Sequence, residues 1–246
     1  MINFWQKEIP YVWHPKSKTK TWFCSDSEEN FKNSRDQIHT ADTVSYTFNE
    51  YGYRIGPSNW NLNSSKKRLL TLGCSHTVGV GVPWDDTWPV LLAKHADYEL
   101  FNLASSGSAG DVAVRTLYSV IDIIKPDLVA ILWPEVNRYE FYENFKFDAD
   151  GDEYELTHSR SIWNDESIAE MQNHLYNLHQ KNLIFLDMMQ QLHKFKCLTF
   201  NSAELINDYA RQHSDILDPV SHDSRDKLHP GVQAHQYIAK KFIDTY

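Results

Sequence analysis

Three short blocks of this chain carry the residue types that acyl transfer by serine requires: a hydroxyl, a base to take its proton, and donors for the developing oxyanion. The first is RLLTLGCSHTVGVG, residues 68–81, in which an apolar run ends at Gly73-Cys74-Ser75. An apolar run that stops on glycine and then presents a small hydroxyl residue is how a buried parallel strand delivers a nucleophile. The second is Arg225-Asp226-Lys227-Leu228-His229-Pro230-Gly231. Asp226 and His229 are three apart, and in a tight turn a carboxylate at that spacing reaches the Nδ1 proton of the imidazole. That contact fixes the tautomer and leaves Nε2 free to face Ser75. Alone, such a string reads as a surface turn with an N-capping aspartate; its pairing with a serine at a strand end turns the reading toward catalysis. The third block is Asn102-Leu103-Ala104-Ser105-Ser106-Gly107, followed by Ser108-Ala109-Gly110. Its glycine permits close backbone approach, and amides at a helix start donate to anions. A strand-to-helix turn rich in small residues fits that block equally well.

These blocks work together only if strands bring their ends to one place. From residue 67 the pattern runs strand, helix, strand. Leu69–Gly73 is the first strand. Thr87-Trp88-Pro89 supplies an N-cap and an early proline before a helix over Val90–Ala96. Tyr98–Leu103 is a second strand, and Asp111–Ile124 a helix with Ala113, Leu117, Val120, Ile121 and Ile124 on one face. Pro126 ends that helix. Asp127–Trp133, apolar after its first residue, reads as a third strand buried on both sides. Residues 139–162 are acidic and irregular and read as an exposed excursion with Asp148-Ala149-Asp150-Gly151-Asp152 at its tip. The alternating acids look like a calcium loop but lack its closing glutamate, so a solvated turn is the expectation. A long amphipathic helix follows from about Asn164 to His193, faced by Ile168, Met171, Leu175, Leu178, Phe185, Met189 and Leu192. Phe195–Phe200 is a fourth strand, Ala203–Arg211 a short helix and Ser214–Leu217 a fifth strand. Val232–Tyr246 closes the chain as a helix with Val232, Ala239, Phe242, Ile243 and Tyr246 on one side. Such alternation implies a parallel sheet covered on both faces, with Ser75 beyond the carboxyl ends of the strands, where open α/β sheets place their ligands.

Residues 1–66 differ. They are aromatic and polar, and Pro10, Pro15, Gly52, Gly56 and Pro57 break them up. Thr43–Arg54 alternates well enough for one strand ending in a turn. This region is expected to be an extension that wraps the main domain, residues 67–246, and forms a wall of the site.

Composition narrows the function classes. The 246 residues suffice for one large domain with a substantial core. With 24 basic and 33 acidic residues the net charge is −9, which argues against a broad nucleic-acid surface. Eight tryptophans are many, and core packing and loop anchoring are expected uses ahead of a sugar or peptide groove. Cys24, Cys74 and Cys197 are too few and too far apart for a disulfide framework. The N-terminus lacks the pattern of a signal peptide, and no segment approaches the roughly 18 apolar residues that span a bilayer. A soluble cytoplasmic protein with no membrane partner is the default, and packaging in a virion or release by lysis would leave no trace. The string His222-Asp223-x-x-Asp226-x-x-His229 superficially suits a metal, but two histidines and two acids more often decorate a loop, so no metal is expected.

Taken together, the three blocks resemble the SGNH (GDSL-type) hydrolase superfamily over about residues 67–246. The serine block has Cys74 where that family usually has aspartate, and the glycine block has Ala104 in place of a frequent glycine. The resemblance implies a three-layer α/β/α sandwich, flavodoxin-like, with a five-stranded parallel sheet. It also implies Ser75 as nucleophile, His229 as base, Asp226 as its orienter, and the backbone amides of Ser75 and Gly107 as oxyanion donors, with no cofactor. A fourth family block, Gly-x-Asn-Asp after the third strand, departs here: the chain runs Trp133-Pro134-Glu135-Val136-Asn137-Arg138-Tyr139-Glu140. Asn137 is the only amide near that place, so either a local shift brings it into the oxyanion hole or the third donor differs. Arg138 and Glu140 are expected to form a structural ion pair, the alternative being Arg138 gripping an anionic substrate. Asn49-Glu50-Tyr51-Gly52-Tyr53-Arg54 is similar to a segment ahead of the serine block in some relatives, and Tyr53 or Arg54 is placed to reach the cleft. The implied activity is a serine esterase or deacetylase acting on a small-molecule or carbohydrate ester. An O-acyltransferase on the same site, or a catalytically weak carbohydrate-binding module of the same fold, are the alternatives.

Overall fold

Strand β4 (Arg68–Gly73) is the organising element, because it is flanked on both sides by parallel partners. In the computed structural model, residues 7–33, 39–40, 42–146, 155–161, 165–213, 220–221 and 223–246 are described, the side chains of 141–146, 155–161 and 165–172 being left aside. On one side β4 pairs with β5 (Glu99–Asn102), Thr71 opposite Asn102. On the other it pairs with β6 (Leu128–Trp133), Gly73 opposite Leu132, and β6 pairs with β9 (Lys196–Asn201). The sheet order among the described residues is β5-β4-β6-β9, four parallel strands rather than five. The segment expected as a fifth strand, Ser214–Leu217, lies outside the described residues.

Alternation along the strands divides the core in two. Leu70, Leu72, Val129 and Ile131 face helices α4 (Gly110–Ile124) and α5 (Asp165–His193), packing on Leu117, Val120, Ile121, Leu186 and Met189. Leu69, Leu128, Ala130 and Leu132 face α3 (Trp88–Ala96) and α7 (Val232–Thr245), packing on Trp88, Leu92, Ile238, Ala239 and Phe242. The indole of Trp88 stacks on Phe242 with ring centroids 4.5 Å apart. A short helix, α6 (Ser202–Gln212), connects β9 to the closing segment and is capped by Asn201, whose side chain accepts from Ala203 and Glu204 N–H. The result is the three-layer arrangement expected. All five residues of the apolar face read for α4 are buried. In α5, Leu175 and Met189 of the face read from the sequence are buried, Leu178 and Phe185 half-buried, and Leu192 is exposed.

The described parts of residues 139–162 are not irregular. Strands β7 (Arg138–Lys146) and β8 (Glu155–Ser161) form an antiparallel hairpin, Arg138 opposite Ser161, with an irregularity between Phe141 and Phe145. The acidic tip read as a solvated turn lies outside the described residues. β7 interleaves charged and aromatic residues at its start, Arg138-Tyr139-Glu140-Phe141, whereas β8 is mostly polar and shows no apolar alternation to mark it as a partner.

The N-terminal region also carries more structure than one strand. Strands β1 (Thr19–Lys20), β2 (Tyr46–Phe48) and β3 (Arg54–Ile55) form a small antiparallel sheet, with a short helix α1 (Glu28–Asn33) between the first two. Tyr53 joins the core with Leu70, Leu72 and Phe101, while Phe23, Val44, Tyr46 and Phe48 pack on Val78, Val80 and Ala104. Arg54 is fully buried and does not reach a cleft. Its guanidinium donates to the carbonyls of Ser45, Val78, Gly79 and Val82, the last three in the loop that follows Ser75. Burial pulls its pKa down to about 10.

The tie between the N-terminal region and the C-terminal block is a buried ion pair. Arg225 Nη2 lies 2.6 Å from Asp26 Oδ2, and neither side chain has any exposed surface. Arg225 Nε also donates to Asp26 Oδ1 at 2.9 Å, Nη1 to Val44 O at 2.9 Å and Nη2 to Thr21 O. Tyr46 OH donates to Asp26 Oδ2 and accepts from Gly81 N–H at 2.8 Å. Removing one member of such a pair strands the other charge out of water, at about 3–5 kcal/mol, whereas an apolar replacement of both is far milder. Asp26→Asn is therefore expected to lower unfolding free energy in urea by several kcal/mol, and the double variant Asp26→Leu, Arg225→Met to recover part of that loss.

Candidate active site

Ser75 opens a single-turn helix, α2 (Ser75–Val78), directly beyond β4. The backbone makes this sharp exit because Gly73 has φ +150° and no side chain: a Cβ there would sit 2.2 Å from Thr77 Oγ1 and 2.7 Å from Leu132 O. Cys74, buried, occupies the cap position of α2 without a side-chain cap bond. Asn102, at the end of β5, steadies the turn by donating to Thr77 O at 3.2 Å while its Oδ1 accepts from Thr71 Oγ1 and Ala104 N–H. Ser75 is 7% exposed, and its own N–H has no hydrogen-bond partner among the described residues.

Asp226 and His229 meet as their spacing predicts. His229 Nδ1 lies 2.6 Å from Asp226 Oδ2, and Asp226 Oδ1 accepts the N–H groups of Leu228 and His229 at 3.1 Å. The aspartate is 3% exposed. Burial alone would raise its pKa, but the hydrogen bonds and charge of His229, with further bonds from Ser25 and Leu228 N–H, outweigh that and hold it at about 2. The turn is locked from behind. Arg225 N–H donates to Gly81 O at 2.8 Å, and Gly81, at φ +79°, leaves room for the carboxylate, since a Cβ would lie 2.7 Å from Asp226 Oδ1.

The loop carrying Ser75 and the loop carrying His229 come together. The ring of His76, next to Ser75, stands edge-on to the ring of His229 with centroids 5.7 Å apart. Desolvation, then the neighbouring His229, Arg138 and His235, push the His76 pKa well below its usual value. No hydrogen bond joins Ser75 Oγ to His229.

Gly107 lies in the turn after β5, at φ +75°, with nothing within 4 Å of where a Cβ would sit. Its N–H has no partner among the described residues, while the turn around it is held tightly. Ser105 N–H and Ser108 Oγ both donate to Gly73 O, at 3.2 and 2.9 Å. Ser106 is held on both sides of its peptide: its N–H donates to His14 Nε2 at 3.0 Å and its carbonyl accepts Trp13 Nε1–H at 3.0 Å. His14 donates Nδ1–H to Gly52 O at 2.9 Å, so it is neutral, and burial pulls its pKa down to about 3.

Asn137 is placed differently from these four residues. It sits in the turn between β6 and β7, its Oδ1 buried without a partner, and no hydrogen bond links it to Ser75, Gly107 or His229. Arg138 and Glu140 do not pair with each other. Neighbours along a strand point to opposite faces and residues two apart run side by side, and here each finds a partner elsewhere. Glu140 takes Arg115 of α4 at 2.6 Å, and Arg138 lies 3.8 Å from Glu135. Asp223 turns to α7, its Oδ2 accepting Gln233 N–H at 2.9 Å, and His222 lies outside the described residues. Sequence reasoning missed Ser25, whose hydroxyl donates to Asp226 Oδ2 at 2.7 Å and lies 3.1 Å from His229 Nδ1. No signal marks a lone serine 201 positions from its partner. All three cysteines are free, and no helix among the described residues is long and apolar enough to cross a membrane.

No protein-family model and no curated protein matches the chain. Among solved structures it is similar to TesA, at 18% identity and TM-score 0.44, over 73% of this chain and 97% of that one. It is similar to a carbohydrate esterase whose active site is described as displaying divergent catalytic and non-catalytic binding functions, at 14% identity and TM-score 0.43, over 78% of this chain and 66% of that one. A third is the psychrotrophic esterase EstA from Pseudoalteromonas sp., at 17% identity and TM-score 0.35, over 72% of this chain and 95% of that one. Likeness at these scores adds nothing to the geometry above.

The buried ionisable groups set how stability responds to acid. His14 and His235 have pKa values pulled by burial to about 3, below the usual 6.5, so the unfolded chain binds more protons than the native one between those limits. Asp226, held at about 2 against 3.8 unfolded, contributes ~2 kcal/mol that is present above pH 4 and lost as pH falls through about 2. Unfolding free energy is expected to fall from about pH 6.5 downward, with an added loss below pH 4 that is smaller in Asp226→Asn. Urea titrations of both proteins at stepped pH measure this.

Proposed function

We propose that this chain is a serine esterase of the SGNH type, hydrolysing an ester through an acyl-enzyme formed on Ser75. The observation that carries the reading is the Asp226–His229 pair, joined at 2.6 Å and set against the residue that follows Ser75. His229, with Nδ1–H held by Asp226, offers Nε2 as the base. It takes the proton of Ser75 as Oγ adds to the ester carbonyl, and gives that proton to the departing alkoxide. It then draws a proton from water, which adds to the acyl-enzyme, and returns it to Ser75 as the carboxylic acid leaves. Asp226 remains ionised throughout, as its depressed pKa requires. The N–H groups of Ser75 and Gly107, both without a partner among the described residues, are the donors for the oxyanion. Asn137 is not needed for this two-donor arrangement. A hole short of one donor costs about 10²–10³ in rate, so turnover of unactivated esters is expected to be modest. Serine–base hydrogen bonds are often long without substrate and tighten in the reacting complex, which is how the open Ser75–His229 pair is read.

The resemblance of the three blocks to SGNH hydrolases supports the same chemistry, and an ester of a small molecule or carbohydrate is the proposed substrate class. Turnover of a short-chain aryl acetate tests the reading. Ser75→Ala is expected to lose about 10³-fold or more in kcat, as removal of a triad member does, with an unchanged melting temperature. Activity that survives this substitution contradicts the nucleophile assignment.

A further inference from the structure

A single N-terminal segment touches both halves of the proposed machinery. Trp13 bonds the peptide that precedes the Gly107 amide, and Ser25 bonds Asp226 beside His229. The two are linked, because the Trp13 indole stacks on Phe23 with centroids 5.6 Å apart. We infer that Trp13 and Ser25 are positioning residues, the first aiming the oxyanion donor and the second fixing the Asp226–His229 pair, so that residues 13–25 are a working part of the site. This inference rests on the esterase reading for its kinetic consequences, although its structural content does not.

The geometry of the peptide bond carries the first half. In a trans peptide the carbonyl and the following N–H point in opposite directions. The Ser106 carbonyl is pinned by Trp13 Nε1–H at 3.0 Å. The Gly107 N–H, belonging to the same rigid plane, must therefore point away from Trp13 into open space. The bond does more than orient: a carbonyl that accepts a hydrogen bond polarises its own amide and makes the N–H a better donor. Gly107 at φ +75° carries no side chain that could hold this plane, so the plane needs an outside anchor. His14, held neutral by its lowered pKa, fixes the neighbouring Ser105–Ser106 peptide through Ser106 N–H at 3.0 Å, so the residue ahead of that plane is also held.

The second half rests on how Ser25 is held. Phe23 and Asp26 close a two-residue turn by exchanging hydrogen bonds at 2.9 and 3.1 Å, with Cys24 at φ +57° inside it. Asp26 is in turn the fully buried partner of Arg225, the residue before Asp226. Ser25 is thus fixed between two anchored neighbours, and its hydroxyl cannot drift from Asp226. Asp226 Oδ2 receives both Ser25 Oγ–H at 2.7 Å and His229 Nδ1–H at 2.6 Å. The serine oxygen, 3.1 Å from Nδ1, fills the place where water would otherwise compete for that carboxylate oxygen. His229 keeps one orientation as a result.

Two variants remove one hydrogen bond each and little volume. Ser25→Ala and Trp13→Phe are each expected to lower kcat about tenfold, the worth of one hydrogen bond to a charged or developing charge, with KM little changed. Ser25→Thr, which keeps the hydroxyl, is expected to restore most of the rate. Two NMR signals report independently of any substrate. The His229 Nδ1–H resonance, assigned by its loss in His229→Asn, is expected to shift and to exchange faster in Ser25→Ala. The Gly107 amide resonance is expected to move upfield in Trp13→Phe. If wild type turns over no ester but both signals respond, the esterase reading fails and the positioning inference stands. If both signals stay where they are in variants that fold with the wild-type melting temperature, the inference is overturned, whatever the turnover. A variant that fails to fold is replaced by another that removes the same bond, Ser25→Gly or Trp13→Tyr, and the same two signals decide.

Discussion

The Arg225–Asp26 ion pair is the constraint on which the site depends. Sheet strands place Ser75 and Gly107 by backbone pairing, but the Asp226–His229 turn belongs to no strand or helix. It is held in position by Arg225, whose side chain is buried against Asp26 and the carbonyls of Val44 and Thr21, and stacks on Trp22 at 4.1 Å. A buried pair of this kind contributes little net stability compared with well-packed apolar side chains. Its contribution is register: a guanidinium with five directed donors accepts one arrangement of its neighbours and penalises others. Because Arg225 and Asp226 are adjacent, that register is passed directly to the carboxylate.

Around this pair, polar bonds are concentrated where three loops of the chain meet. Arg54 gathers the carbonyls of the loop after Ser75, Tyr46 bridges Asp26 to Gly81, and Asn102 ties β5 to α2. Each answers a local lack of regular structure. Loops that leave a parallel sheet have backbone groups without ladder partners, and buried ones must be satisfied by side chains. Among the described residues the same bonds leave two amides, those of Ser75 and Gly107, without a partner. A site that binds a developing anion needs donors that the protein itself does not consume.

Much of this was legible in the chain. β4 and β6 are short apolar runs ended by glycine or proline, and α4 repeats its apolar residues at helical spacing, so tertiary packing had only to agree with local preference. The Asp226–His229 contact was legible because three residues in a turn fix it. What was hidden depends on partners far away in sequence. The sheet β1-β2-β3 joins strands of two or three residues, too short to show a period. In the β7–β8 hairpin, β8 is mostly polar and shows no apolar period. Glu140 was expected to meet Arg138 and instead takes Arg115, because two residues along one strand are a worse match than a helix side chain packed across it. Ser25 was invisible for the strongest reason: its chemistry exists only through a turn locked to Arg225.

The central claim is that Ser75 is a nucleophile activated by His229 and assisted by free amides. Reaction of the intact protein with a small alkyl fluorophosphonate, followed by mass measurement and peptide mapping, tests it directly. The account expects a single adduct on the peptide containing Ser75, formed slowly or not at all in His229→Asn. An adduct on another residue, or none from a folded wild-type protein, would contradict it.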